Sequence, residues 1–363
     1  MSVEKRPNGK WRARVIGPDG REHATHHVTK TLARKWEAEQ RAARDRGQWI
    51  DTGSKLTVAE YARQWVAARP HRPSTARRTR SLVDRHIAGT NLGERRLASV
   101  RPSEVQAWAT DRAVTLAPTT LRSLVGLIRS VFTSAVHDRL IAVSPVVRIK
   151  LPDYHPDRVV PLTVDQVYAI AAQLPDYMAA LPIVQSGLGL RIGELLGLQV
   201  ANVDFLRRVV NIVHQRSDVT GELAPPKTPR SKRTIPLPEV VAMALSGYLA
   251  RFPTNDDGTI FVGPYGRRLT HNYLQQTFKA AAKRAGIDAT PHDCRHAYAS
   301  WLLAAGVDVV TVAERLGHEN ASMVIETYAH LMPNQDDRTR RAIDGAFTRT
   351  KDGPETSYTG ADQ

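Results

Sequence analysis

A single cysteine, Cys294, in 363 residues leaves no partner for an intrachain disulfide, and a reducing compartment is the expectation. Long apolar runs are missing as well. The best candidate for a membrane span, Met178 to Leu190, is interrupted by Pro182 and Gln185 and ends at Arg191. The opening residues (MSVEKRPNGKWRAR) have no apolar core behind their basic positions, which argues against a secretory leader. Aromatic residues make up only 6%, but 42% hydrophobic against 24% charged residues is a globular balance rather than a disordered one. A cytoplasmic protein with no membrane association is therefore expected, and the length asks for two or three domains.

Acidic residues are scarce in one part of the chain only. Residues 1–55 hold 13 Lys/Arg against 7 Asp/Glu and residues 56–150 hold 16 against 6, whereas residues 151–363 hold 22 against 23. The whole +15 excess thus lies in the first two fifths. A basic half of this kind suits a polyanion, because each phosphate neutralised releases a counterion. The plainer reading is a solvated surface kept for solubility.

Periodicity divides the chain. Residues 10–16 (KWRARVI) alternate as a half-buried strand with Arg12 and Arg14 on the outer face, Pro18-Asp19-Gly20 signals a turn, and Arg21 to Val28 reads as the return strand. A helix capped at Thr29 or Thr31 follows, ending at Gly47. Such a strand face can enter a major groove, although an ordinary edge strand explains it equally. Residues 55–145 read as a helical domain opened by the capping box Thr57-x-x-Glu60, with helices near 57–68, 74–88, 103–113 and 118–138, the second carrying Arg77, Arg78 and Arg80. Residues 146–161 are proline-rich and aperiodic, as in a linker. Residues 162–345 mix eight helices (163–173, 176–187, 191–198, 238–250, 271–285, 292–305, 309–316, 320–330) with short strands at 209–214, 233–236 and 259–262; the polar tail 346–363 is expected to be disordered. The expected fold class is multidomain, mainly α with small β-sheets.

Four segments of the third region carry chemistry: Gly187-Leu-Gly-Leu-Arg191-Ile-Gly-Glu194-Leu; the basic turn Pro226-Lys227-Thr-Pro-Arg230-Ser-Lys232-Arg233; Pro291-His292-Asp-Cys-Arg295-His296; and Leu316-Gly317-His318, followed by Tyr328-Ala-His330. Metal-free attack on a phosphodiester needs cations on the non-bridging oxygens, a nucleophile and a proton donor for the leaving alkoxide. Arg191 and Arg295 suit the first task, since a guanidinium forks two donors onto phosphate. His292 and His318 can move protons near neutrality, and Lys227 can protonate a departing oxygen. A phenol is a poor nucleophile at pH 7 until cations favour its deprotonation. Competing readings are weaker. His292, Cys294 and His296 do not converge as zinc ligands, because i+2 leaves the face that i and i+4 share; no metal is expected. The glycines at 187, 189, 193 and 197 lack the spacing of a phosphate-binding fingerprint. Arg191 can simply pair with Glu194.

Together these motifs, GLRIGEL, PPKTPRSKRTIPL, HDCRH, LGH and Tyr-Ala-His, resemble in order and distance those of the phage integrase family of tyrosine recombinases over about 160–335. More weakly, residues 1–52 resemble an arm-site-binding module and 55–145 a helical core-binding domain. The resemblance implies that Tyr328 attacks the scissile phosphate to form a 3′-phosphotyrosyl link. Arg191, Arg295 and His318 hold the phosphate, Lys227 is general acid, His292 assists proton transfer with the tyrosine, and Glu194 supports them. It further implies double-stranded DNA at attachment sites as substrate, with Arg12, Arg14, Arg77, Arg78, Arg80, Arg230, Lys232 and Arg233 touching it. A homotetramer, no cofactor, a nucleoid location, and an excisionase or host DNA-bending protein as further partner also follow from it. A cellular Xer-like recombinase, a type IB topoisomerase-like enzyme and an inactive integrase-derived regulator are the alternatives. Two departures from the family pattern stand out: Cys294 replaces the common leucine, and Gln199-Val200 stand where a tryptophan is usual.

Overall fold

The computed structural model describes residues 2–18, 20–47, 49–50, 55–154, 159–226, 228–329 and 336–348. The chain forms two compact units, Met1–Pro156 and Asp157–Gln363.

In the first unit an antiparallel sheet of β1 (Val3–Lys5), β2 (Trp11–Ile16) and β3 (Glu22–His27) is backed by α1 (Lys30–Asp45). Alternation along β2 buries Ala13 and Val15 toward α1, and the Thr29 hydroxyl caps the helix by accepting from the Leu32 N–H at 3.3 Å. Strand β1 is invisible to pattern reading because it is three residues long with one apolar side chain, yet it changes the chemistry of the outer face. Its register sets Glu4 opposite Arg12, and Glu22 comes from β3. Arg12 bonds Glu22 at 2.8 Å and Arg14 lies 3.7 Å from Glu4. The basic outer face expected from β2 therefore carries Arg12 and Arg14 paired with Glu4 and Glu22, three arginines with Arg6 sharing these two carboxylates.

Four helices follow: α2 (Val58–Ala68), α3 (Pro73–His86), α4 (Pro102–Ala113) and α5 (Pro118–His137). The capping box at Thr57 forms as expected, and α3, α4 and α5 each begin with a proline, whose missing N–H has no partner to lose there. Tyr61, Trp65, Trp108, Ile128 and Phe132 form the core, and each indole N–H is satisfied: Trp65 donates to Ser134 at 2.7 Å and Trp108 to the His86 carbonyl at 3.0 Å. The start of the expected linker is packed instead of free. Val146 is buried in this core, and Lys150 and Gln106 exchange two hydrogen bonds of 2.8 and 3.0 Å.

The second unit comprises α6 (Val164–Ala172), α7 (Leu181–Leu188), α8 (Ile192–Leu196), β4 (Val203–Asp204), β5 (Val209–Ile212), β6 (Gln215–Arg216), β7 (Leu223–Ala224), β8 (Arg233–Pro236), α9 (Glu239–Leu249), α10 (His271–Arg284), α11 (Pro291–Ala304), α12 (Val309–Leu316), α13 (Ser322–Tyr328) and α14 (Asp336–Thr348). Its sheets are small: β4-β5-β8 and β6-β7, all antiparallel. Helix α7 is the central element, packed against α6, α9 and α11 with Leu181, Val184 and Leu188 buried. The helix expected over 176–187 is a 3-10 turn at Asp176–Met178 and then α7, because Pro182 has no N–H to continue from the preceding turn. Residues 259–262 are not a strand. Their polar groups are satisfied by single contacts: the Asn255 amide donates to the Phe261 carbonyl at 3.0 Å, and the Val262 N–H donates to the Tyr248 hydroxyl at 3.0 Å. Helix α14 runs past the expected end of ordered chain at 345, and residues 349–363 lie outside those described.

Candidate active site

Two left-handed glycines build the site. Gly189 (φ 63°) closes α7, and an added Cβ there would stand 2.4 Å from the Tyr298 ring. Gly317 (φ 64°) closes α12. Only glycine takes this backbone freely. Each turn aims a carbonyl inward: Gly189 accepts from Arg295 at 2.7 Å, and Gly317 accepts from Arg191 at 2.9 Å. The Leu316 carbonyl accepts from the other terminal nitrogen of Arg295 at 2.6 Å. Segments some hundred residues apart in sequence are thereby tied around two guanidiniums.

Glu194 lies at the centre, 2% exposed. As the third residue of α8 its carboxylate accepts the Arg191 backbone N–H at 3.0 Å and the Arg191 guanidinium at 2.8 Å. It also takes two bonds from Arg233, at 3.1 and 2.9 Å, and lies 3.9 Å from Arg295. Burial by itself would raise the carboxyl; the Arg233 bonds and the charges of Arg233, Arg295 and Arg191 outweigh it and hold the group at about 2. One anion thus faces three cations and the cluster keeps a positive excess. Burial, with Arg191 beside it, pulls Arg295 down to about 9, still charged at neutral pH.

The imidazoles respond to the same field. His318 follows Gly317; burial, then the charges of Arg295, Arg191 and Arg233, depress it to about 4, and its Nδ1 is buried with no hydrogen-bond partner among the described residues. His292, in the first turn of α11, is also held at about 4 by the protein around its ring and by His296 and Arg295. Both are neutral donors at pH 7. Tyr328 ends α13, 3% exposed, its phenol raised to about 12 by burial against the opposing pull of Arg295. Its hydroxyl meets Nδ1 of His296 at 2.5 Å, so the imidazole bonded to the phenol is four residues beyond the expected His292. The rings of His292 and His296 stack edge to face at 4.6 Å.

The remaining assignments divide. Lys227 and His330 lie outside the described residues. The hairpin leading to Lys227 is anchored by buried Arg216, which bonds Asp257 and Thr259 at 2.8 Å each. Arg77, Arg78, Arg80, Arg230 and Lys232 are exposed, as a DNA-facing role requires, and Arg230 also donates to the Glu319 carbonyl. Arg233 is a correction. Its side chain is 7% exposed and spent on Glu194 and on the Arg315 carbonyl at 2.7 Å. Alternation in β8 carried the signal: Arg233 shares a face with buried Ile235. Cys294 is fully buried, its thiol pushed up by burial, and is a core residue. Among the described residues no three His, Cys, Asp or Glu side chains group to hold a metal ion, and no helix is long and apolar enough to cross a membrane.

A mainly helical domain whose arginines, imidazoles and buried phenol gather in this way is the catalytic domain of a tyrosine recombinase. The phage integrase family model matches residues 161–335, and through this segment the chain belongs to that family of DNA strand-cleaving and rejoining enzymes. A tyrosine recombinase XerC-like protein of Caldanaerobacter subterraneus subsp. tengcongensis is 24% identical, covering 94% of this chain and 97% of its own. The integrase of Mycobacterium phage D29 is 24% identical over 90% of this chain and 91% of its own. Among solved structures, the Tn1549 transposon integrase in complex with circular intermediate DNA matches the fold with a TM-score of 0.69 at 23% identity, covering 80% of this chain and all of that one.

Proposed function

We propose that this site-specific recombinase is a phage or prophage integrase that joins and separates attachment sites on double-stranded DNA through a 3′-phosphotyrosyl intermediate. The observation that carries this reading is the gathering of Arg191, Arg233 and Arg295 on one carboxylate, beside His318 and within electrostatic reach of the Tyr328 phenol. A phosphodiester under attack gains negative charge on its non-bridging oxygens, and preorganised cations with an excess over their counter-anion stabilise that charge. Arg191 and Arg295 hold those oxygens with the guanidinium N–H groups not committed to carbonyls. His318, neutral and with an Nδ1 that no described residue bonds, donates beside them, and His292 serves at the same phosphate. Glu194 and Arg233 set the arginines without touching substrate. Tyr328 displaces the 5′ oxygen, which leaves with a proton from Lys227.

The phosphate ester conserves the bond energy, so rejoining is the reverse displacement. Exchange between two duplexes needs four strand cleavages, hence a homotetramer, with an excisionase or a host DNA-bending protein setting direction. Residues 1–52 then bind arm-type sites, and exposed Arg77, Arg78 and Arg80 in a helical core-binding domain (55–145) contact backbone near the crossover. The test is a nicked suicide site followed by a denaturing gel: wild type gives a covalent adduct and Tyr328→Phe gives none. An adduct with Tyr328→Phe removes the proposal. For Lys227→Ala, a 5′-bridging sulfur restores cleavage, because a thiolate leaves without a proton; no restoration removes Lys227 from the role. A Xer-like role is the second reading, favoured by the full-length XerC-like relative. Joining of two identical sites, with no dependence on residues 1–55, would select it.

A further inference from the structure

The resemblance assigns assistance to the tyrosine to His292, but the geometry points elsewhere: we propose that His296 is the proton acceptor that converts Tyr328 into the nucleophile. This rests on the reading of Tyr328 as nucleophile and goes beyond it. The hydroxyl of Tyr328 is 2.5 Å from Nδ1 of His296, and the phenol is 3% exposed, so its proton has this imidazole and not bulk water beside it. The arrangement is built by two helices. His296 stands one turn after His292 on α11, half-buried, while Tyr328 comes from the last turn of α13. Both helices contribute to one buried cluster, α11 with Tyr298 and Leu303 and α13 with Val324, that α12 joins. The His296 ring also meets that of His292 edge to face at 4.6 Å.

The groups facing His296 agree with an acceptor. Arg295 on its own helix opposes a positive charge on the ring, Asp293 favours one, neutral His292 meets it edge to face, and Tyr328 comes from α13. Burial and Arg295 prevail, and the imidazole lies below its ordinary range, neutral at pH 7. With Nδ1 accepting, the resting tautomer carries its proton on Nε2.

The step balances. As the Tyr328 oxygen bonds to phosphorus, its proton passes to Nδ1, giving an imidazolium. The bond from phosphorus to the 5′ oxygen breaks with its electron pair, and that oxygen takes a proton from the general acid. On rejoining, the 5′ hydroxyl attacks, its proton returns to the general acid, and the departing phenol oxygen recovers the proton from His296. The buried imidazolium formed in the first step beside Arg295 is unstable, which favours rejoining over an abandoned break.

The experiment uses the full chain and a nicked suicide site under single-turnover conditions between pH 5.5 and 9.5. Wild type rises with pH to a plateau, since the base must be neutral. His296→Gln retains a polar group but takes no proton; its cleavage falls about 100-fold at pH 7 and keeps rising with pH instead of levelling. Fluorotyrosine at position 328, a more acidic phenol, shrinks that deficit several-fold. Cleavage by His296→Gln within about threefold of wild type, with an unaltered profile, overturns the proposal while Tyr328→Phe independently upholds the nucleophile. An adduct with Tyr328→Phe overturns both. Should His296→Gln fail to fold, as read by melting, wild type carrying fluorotyrosine decides. An acidic limb that stays in place belongs to the imidazole and supports the proposal; one that moves with the phenol's acidity overturns it.

Discussion

Replacing Glu194 by glutamine keeps the shape of the side chain and removes the one charge that three guanidiniums share. The carboxyl is held at about 2 in the folded chain against an ordinary 4.5, and at about 1.4 kcal/mol per unit this difference amounts to about 3 kcal/mol of stability. Loss of one partner from a buried ionic cluster costs about 3–5 kcal/mol by a separate route, so the two agree. The sign follows from the depressed value. The contribution is complete above about 4.5, where the unfolded carboxyl is ionised, and is lost as pH falls through about 2. Urea denaturation of wild type and Glu194→Gln at pH 7, and again at pH 3, measures it. The variant should be weaker by about 3 kcal/mol at pH 7, and its disadvantage should shrink at pH 3, where wild type loses part of the same term. Equal stability at pH 7, or a deficit unchanged at pH 3, would refute the idea that the glutamate's charge organises this cluster. Cleavage should fall as well, because the Arg191 backbone N–H and guanidinium each bond a different carboxylate oxygen and the amide leaves an acceptor for one of them only.

Further outcomes are as definite. Gly189→Ala, which meets the Tyr298 ring at 2.4 Å with φ at 63°, should lower stability by at least about 2 kcal/mol and displace the carbonyl that anchors Arg295; a melting curve identical to wild type would contradict the geometry. Arg233→Ala should abolish cleavage with DNA affinity nearly intact, whereas Arg77→Ala should weaken binding and lower the slope of log affinity against log salt by about 1; binding titrations over salt separate the two. His292 and His318, both near 4 against an ordinary 6.5, are neutral in the fold but charge when it unfolds. Stability should therefore decline as pH drops from about 6.5 toward 4, and His318→Gln should flatten that decline in denaturation at stepped pH.

Much of the site was legible because residue chemistry and local spacing announce it. The order of GLRIGEL, HDCRH, LGH and Tyr328 shows which types gather, and the glycines before Arg191 and His318 mark two left-handed turns at the site. The basic turn was harder. Four cations within a few residues look equivalent as text, yet Arg233 faces inward with Ile235 while Arg230 and Lys232 remain outside. The partner of Tyr328 was hidden too, since i and i+4 placed His292 and His296 on one face without saying which one α13 would reach. Short elements such as β1 and β4 carry too few residues for periodicity to show, and residues 259–262 mimic a strand because their apolar run is buried while Asn255 and Tyr248 satisfy the backbone.

By itself the sequence determined most of the helices, the caps at Thr29 and Thr57, the basic first two fifths and the residue types that gather at the site, because each of these depends on residues within a turn or two of one another. Tertiary structure alone decided which arginine binds the central carboxylate, which is spent on the fold, and which histidine receives the phenol. Those choices depend on contacts such as Arg191 with Gly317 and Arg295 with Leu316. The reason is that buried charge is tolerated only where several distant partners arrive together, and no local pattern encodes their arrival.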